Sequence, residues 1–94
     1  MKSIVEKDIK YSKFGKDRFF KLDQNLKKKI LTYLKRGKEG LAGDCTLKDP
    51  FTGEIFTRTS VQYMNDGFEW WTMDTYMFEK YDVKLKDDFL LLFI

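Results

Sequence analysis

Residues 24–36 carry the clearest helical pattern in the chain. Leu26, Ile30, Tyr33 and Leu34 fall at i, i+4, i+7 and i+8, one apolar stripe. Asp23 stands before it as an N-cap whose carboxylate can accept from the free amides of the first turn. Lys35 and Arg36 occupy the last turn, where cations meet the negative end of the helix dipole. Gly37 suits the left-handed position that closes a helix. Lys27, Lys28 and Lys29 lie on the other face.

From Ile55 the period becomes two. Ile55, Thr57, Thr59, Val61 and Tyr63 share one face of a strand, and Phe56, Arg58, Ser60, Gln62 and Met64 share the other. Asn65-Asp66-Gly67 is a hairpin turn, and Phe68 to Thr72 returns as the next strand. Upstream, Leu41 to Leu47 is the expected first strand. Asp49-Pro50-Phe51-Thr52-Gly53 is the turn between them, because Pro50 presets φ and Gly53 tolerates positive φ. "GKEGLAG", residues 37–43, reads as a flexible connection. Its glycines precede no helix start and no Lys-Ser/Thr, so it is not a phosphate loop.

A second helix is expected from Thr72 to about Tyr81, capped by Thr72 or Asp74. Asp82 to Lys86 then link to a final apolar run, 89–94. Phe89, Leu92 and Phe93 fit a helical face, and the same run fits a buried strand equally well. Either way it is expected to dock against the body. At the other end, Ile4, Val5 and Ile9 suggest a short helix. Residues 10–22 suggest either a small hairpin turning at Phe14 to Asp17 or an irregular arm. The pattern as a whole implies a small single α+β domain over 1–94. Its expected architecture is a three-stranded antiparallel meander packed with two to three helices.

Composition adds a constraint on the core. The chain has 94 residues, of which 17% are aromatic. A chain this short buries a modest share of its unfolded surface, and aromatic side chains offset that by burying large areas. The longest apolar run is six residues, against the roughly 20 that a membrane span needs. The N-terminus mixes charge throughout and lacks the apolar stretch of a signal peptide. The one cysteine, Cys45, can form no internal disulfide and is expected as a small buried strand residue. These features point to the cytoplasm. The Lys-, Phe-, Tyr- and Ile-rich usage fits an AT-rich bacterial or phage genome.

The net charge of +3 hides an asymmetry. Residues 1–37 carry 12 Lys/Arg against 4 Asp/Glu, and residues 38–94 carry 6 against 11. Halves of opposite sign either attract each other in the fold or present one basic and one acidic face.

Catalytic chemistry has little to work with. There is no histidine, which removes the usual general base and the commonest metal ligand. Asp66, Glu69 and Asp74 cluster along the chain, but paired carboxylates need a cleft that holds them at a set separation. A domain of this size has little volume for one. No enzymatic activity, metal or cofactor is therefore expected.

The stretch 65–82, "NDGFEWWTMDTYMFEKYD", holds six aromatic, two methionine and five acidic residues. Alternation sends Phe68 and Trp70 to one side of the strand and Glu69 and Trp71 to the other. On the helix, Met73, Tyr76, Met77 and Lys80 make one face, with Phe78 and Tyr81 roughly opposite. Small domains recruit aromatics to extend a thin core, and that explains single rings. The whole cluster suggests an exposed aromatic surface rimmed by acids, of the kind that forms protein interfaces. Asp66, Glu69, Trp71, Asp74 and Glu79 are the candidate partner contacts. A second copy of the chain is another occupant for such a surface. The alternative is a nucleic-acid-binding face made by Lys27, Lys28, Lys29, Lys35 and Arg36. Its simpler reading is a solvated helix face, and the nearly balanced total charge makes nucleic acid the lesser candidate.

"DPFTGE" (49–54) followed by "YMNDGFEWWTMDTYMFEKYDVKLKDDF" (63–89) resembles a pattern in small, mostly uncharacterised bacterial proteins of similar length. In these an Asp-Pro-x-Thr-Gly turn leads to a strand, then Tyr-x-x-Asp-Gly-x-Trp-x-Trp, then Tyr-x-x-Glu-Lys-Tyr. Some look like cytoplasmic immunity proteins that accompany polymorphic or contact-dependent toxins. The resemblance covers about residues 41–90. It departs at Lys86, where the pattern has a proline, and at Ile94, where the chain stops earlier than the pattern does. It implies a shared fold made by turns and aromatics, and a protein that neutralises a cognate toxin, a nuclease being one class. A phage-encoded inhibitor of a host protein would use the same physics with another partner.

Overall fold

Trp70 is the residue around which the interior is assembled. In the computed structural model, which describes residues 1–5 and 23–93, its side chain is fully buried. It lies on the third strand of the meander, between an N-terminal helix and the C-terminal segment. The elements in chain order are β1 (Lys2–Ser3), α1 (Gln24–Lys35), β2 (Lys38–Lys48), β3 (Ile55–Asn65), β4 (Phe68–Trp71), α2 (Thr72–Tyr81) and α3 (Asp87–Leu90), which runs into a 3₁₀ turn at Leu91–Phe93. The readings made for Ile9 and for residues 10–22 lie outside the described residues.

The fold is α+β, and the meander β2-β3-β4 is antiparallel. Among the described residues the sheet nevertheless has four strands, in the order β1-β4-β3-β2, with β1 parallel to β4. This corrects the three-stranded expectation. The Lys2 N–H donates to Gly67 O at 3.0 Å and the Ile4 N–H to Glu69 O at 3.3 Å. That pairing covers the outer edge of β4 and carries Ile4 and Val5 into the core. Ile4 and Val5 therefore follow a strand and begin no helix. Two apolar residues beside an unpaired strand edge gain both burial and backbone hydrogen bonds there.

α1 begins as its sequence implies, with the Asp23 carboxylate accepting from the Asn25 N–H at 3.4 Å. Ile30 and Leu34 are buried, and Leu26 and Tyr33 pack at the core margin. The last turn receives the Trp70 indole N–H, which donates to Leu34 O at 3.2 Å. A buried indole needs such a partner, and a free helix-end carbonyl supplies it. Tyr33 tilts against Trp70 at 5.7 Å between centroids.

Gly37 serves a different purpose from the one its position suggests. Its φ is not among the positive ones, so it is no left-handed cap. A Cβ at this position would lie 2.5 Å from Cζ2 of Trp70 and 3.0 Å from Cβ of Tyr63. The chain passes so close to the indole that only glycine fits. Immediately afterwards β2 begins, so "GKEGLAG" is mostly strand and no flexible connection. β2 is the sheet edge, and Cys45 on it is exposed rather than buried. Its ladder with β3 shifts register between Glu39 and Ala42 and again between Asp44 and Leu47. Such irregularities blunt a free edge against pairing with other chains.

The C-terminal run is helical. Phe89 is buried and meets Phe68 edge-to-face at 5.2 Å, while Phe93 meets Tyr33 at 5.2 Å. Leu91 and Leu92 stay exposed. The Lys86 N–H donates to Ile4 O at 2.8 Å, which ties both ends of the described chain together. Among the described residues, no helix is long and apolar enough to cross a membrane.

Gly37→Ala is expected to cost about 1–3 kcal/mol of stability through overpacking against Trp70. Gly43→Ala, whose added methyl meets nothing within 4 Å, should lie within about 0.5 kcal/mol of the parent. Urea denaturation of the two variants checks both.

Candidate functional site

Asp49 opens the turn between β2 and β3, and the residue is 1% exposed. Its Oδ1 accepts from the Phe51 N–H at 2.8 Å and the Thr52 N–H at 3.0 Å. This local bonding is what an aspartate before proline does in a turn. Gly53 completes the turn with φ of +75° and donates to Asp49 O at 2.8 Å. The other oxygen, Oδ2, accepts from two phenols of α2, Tyr76 at 2.6 Å and Tyr81 at 2.5 Å. The Lys80 ammonium lies 3.2 Å from the same oxygen and donates to the Tyr76 hydroxyl at 3.1 Å. It also stands over both phenol rings, 5.5 and 5.6 Å from their centroids.

These contacts decide the charge state. Burial pushes the Asp49 carboxyl up, but the bonds from Tyr76, Tyr81 and the two turn amides outweigh it. They hold the group well below the usual carboxylate range. Lys80 is raised above the usual lysine range, first by its bond to Tyr76 and then by Asp49. A charged carboxylate thus stays ionised out of water, with every lone pair directed at a donor.

Tyr76 links this anchor to a cavity. Its ring stacks on Phe56 with centroids 3.7 Å apart and planes 5° from parallel. Phe56 reaches the helix side because β3 inserts a residue: Leu47 pairs with Thr57, yet Lys48 pairs with Ile55. The alternation read from the sequence is broken there, and Phe56 leaves the face of Arg58, Ser60, Gln62 and Met64. Between β3, α2 and the end of α1 lies a pocket of about 310 Å³. Leu34, Phe56, Tyr63 and Tyr76 form its apolar walls, Thr57, Thr72 and Thr75 add hydroxyls, and Lys35 and Glu79 stand at it too.

α2 starts where β4 stops, and two side chains manage the change. The Thr72 hydroxyl accepts from the Val61 N–H at 2.9 Å and lies 3.4 Å from Val61 O, continuing the ladder past the last strand residue. Thr72 is therefore no cap. Trp71 holds the N-cap position, and its N–H donates to the Asp74 carboxylate at 2.8 Å. At the other end Asp82 takes a left-handed conformation, φ 53°. Lys27 donates to Glu79 O at 2.9 Å and pairs with the Asp82 carboxylate at 2.5 Å. A cation at the carboxyl end of a helix is well placed.

The candidate partner contacts separate accordingly. Glu69 and Trp71 share the sheet face away from the helices. Glu69 accepts from the Gln62 side-chain amide at 2.9 Å, and Trp71, paired across the ladder with Gln62, is 36% exposed. Asp66 sits in the β3–β4 turn with φ 51° and accepts from the Tyr33 hydroxyl at 2.8 Å. Asp74 is buried in the helix cap. Glu79 lies on the helix side, 3.3 Å from Lys35. Five residues read as one surface thus occupy four places. Of the basic set, Lys27 and Lys35 are engaged in ion pairs, while Lys28, Lys29 and Arg36 are exposed.

Asp49, Phe56, Thr75 and Tyr76 were not singled out as site residues from the sequence. The available signal was the pairing of an Asp-Pro turn with two tyrosines and a lysine on one helix. Comparison with protein-family models, with curated proteins and with solved structures finds no match.

Asp49→Asn should lower the melting temperature at neutral pH, and Asp49→Ala should lower it further by removing the acceptor that two amides and two phenols share. Because the folded carboxyl sits below its ordinary value of about 3.9, its stabilisation is full above that pH and is lost as pH falls toward the folded value. The gap between parent and Asp49→Asn should therefore shrink steadily below about pH 4 in acid melts. A gap constant to strong acid contradicts this.

Proposed function

We propose that the chain is a non-catalytic protein-binding domain of immunity type, neutralising a cognate bacterial toxin through the sheet face that carries Trp71 and Glu69. The observation that carries the reading is Trp71 itself. An indole 36% exposed beside a carboxylate oriented by Gln62 has the make-up of an interface centre with a charged neighbour. Toxins that cut nucleic acid present basic active sites. A face that offers an acid next to an aromatic suits fast, steered association with such a surface. The excess of acidic residues in 38–94 has the right sign for this.

Asp66, Asp74 and Glu79 take no part in this face, and Glu79 lies on the helix side beside Lys35. Asp74 caps α2 and Asp66 holds Tyr33, so both have internal work. A host-protein inhibitor encoded by a phage would use the same face and differ only in its partner. The nucleic-acid reading is left with Lys28, Lys29 and Arg36, since Lys27 and Lys35 are paired within the fold.

The test is co-purification and growth protection with the toxin domain encoded beside the chain. Trp71→Ala should weaken binding by about 2 kcal/mol or more, roughly thirtyfold in Kd, and adding Glu69→Lys should abolish protection. Lys28→Glu with Lys29→Glu should leave both intact. If the Trp71/Glu69 variant binds and protects like the parent, this face is not the interface.

A further inference from the structure

The pocket between α1, α2 and β3 has features that the anchor and the sheet face do not use. At about 310 Å³ it lies at the small end of the ~300–1,000 Å³ of ligand sites. Its walls are mainly apolar, and three of them are aromatic rings. Phe56 and Tyr76 are held parallel to each other, and Tyr76 is fixed by its bond to Asp49. These walls are thus set in place before any ligand arrives.

The polar groups are unevenly satisfied. The Thr57 hydroxyl accepts from the Thr59 N–H at 3.3 Å, and Thr72 serves Val61. The Thr75 Oγ1 is buried without a hydrogen-bond partner among the described residues. An unpaired buried hydroxyl is costly, and a ligand that pairs it removes the cost. Thr75 is itself one of the residues that line the cavity, and threonine on a helix has two χ1 rotamers open to it. Lys35 and Glu79, 3.3 Å apart, cancel each other's charge beside the cavity, which favours neither anion nor cation.

We propose that this cavity binds a small uncharged aromatic ring bearing one hydrogen-bonding group, phenols being the simplest class, with Thr75 pairing the polar group. The ring packs against Phe56, Tyr63 and Leu34, and the polar substituent points to α2. The cavity lies on the helix side of the sheet and Trp71 on the other side, so loss of partner binding at Trp71 leaves this site untouched.

The experiment is an amide-detected NMR titration of the full chain with p-cresol, toluene and benzoate. p-Cresol should give saturable shifts at Thr57, Thr72 and Thr75, binding about fivefold or more tightly than toluene, with benzoate weakest. Thr75→Val, which keeps the shape and should not lower the melting temperature, should erase the preference for p-cresol and leave toluene unchanged. Phe56→Ala should weaken both. Shifts that rise linearly without saturation, or a p-cresol preference that survives Thr75→Val, would overturn the assignment.

Discussion

A carboxylate removed from water has to be met by donors from several directions, and in this protein that demand joins parts of the chain far apart in sequence. Asp49 takes two amides from its own turn, two phenols from α2 and a nearby ammonium from Lys80. The turn cannot move without unpairing α2, and α2 cannot rotate without exposing the carboxylate. The long β2–β3 hairpin, which extends beyond the short strand β4, is fastened to the body here. Phe51 adds an edge-to-face contact with Tyr81 at 4.8 Å. The same anchor sets the Tyr76 ring, and through it the wall of the pocket.

The second organising contact is Trp70 with Leu34 and Gly37. It seats α1 on the sheet, just as Lys27 seats α1 on the end of α2. With both helices on one side, β4 divides its neighbours Trp70 and Trp71 between core and surface. The proposed partner surface and the proposed small-ligand cavity are therefore on opposite sides of one thin sheet.

Much of this was legible from residue order, and the failures have physical causes. α1, its Asp23 cap, both turns and the split of the tryptophans follow from local periodicity and turn chemistry, which the fold leaves undisturbed. The inserted residue at Phe56 was not legible, because a register shift is a property of two strands and alternation describes one. Gly37 signalled a cap because that is its usual local use, whereas here the reason is the indole across the fold. β1 was missed because two strand residues have no pattern of their own; pairing with β4 creates the strand. Cys45 was expected inside, and β2 turned out to be an edge. The acidic set of 66–79 looked like one surface along the chain, but a turn, a strand, a helix cap and a helix side send its members in different directions. Asp49 was legible as a turn residue and not as the buried anchor, since the tyrosines that cover it lie 27 and 32 positions away. The Asp-Pro turn and the Tyr-x-x-Glu-Lys-Tyr segment noticed in the sequence meet at this one oxygen.

The most direct test of that account is a thermodynamic double-mutant cycle on Asp49→Ala and Tyr81→Phe, read by urea denaturation at neutral pH. If the carboxylate holds the turn and helix together, the phenol hydroxyl matters most while Asp49 is present. The double variant should then be scarcely less stable than Asp49→Ala alone. Losses that simply add would show that the two residues act independently, and the anchor would not be what fastens the hairpin to α2.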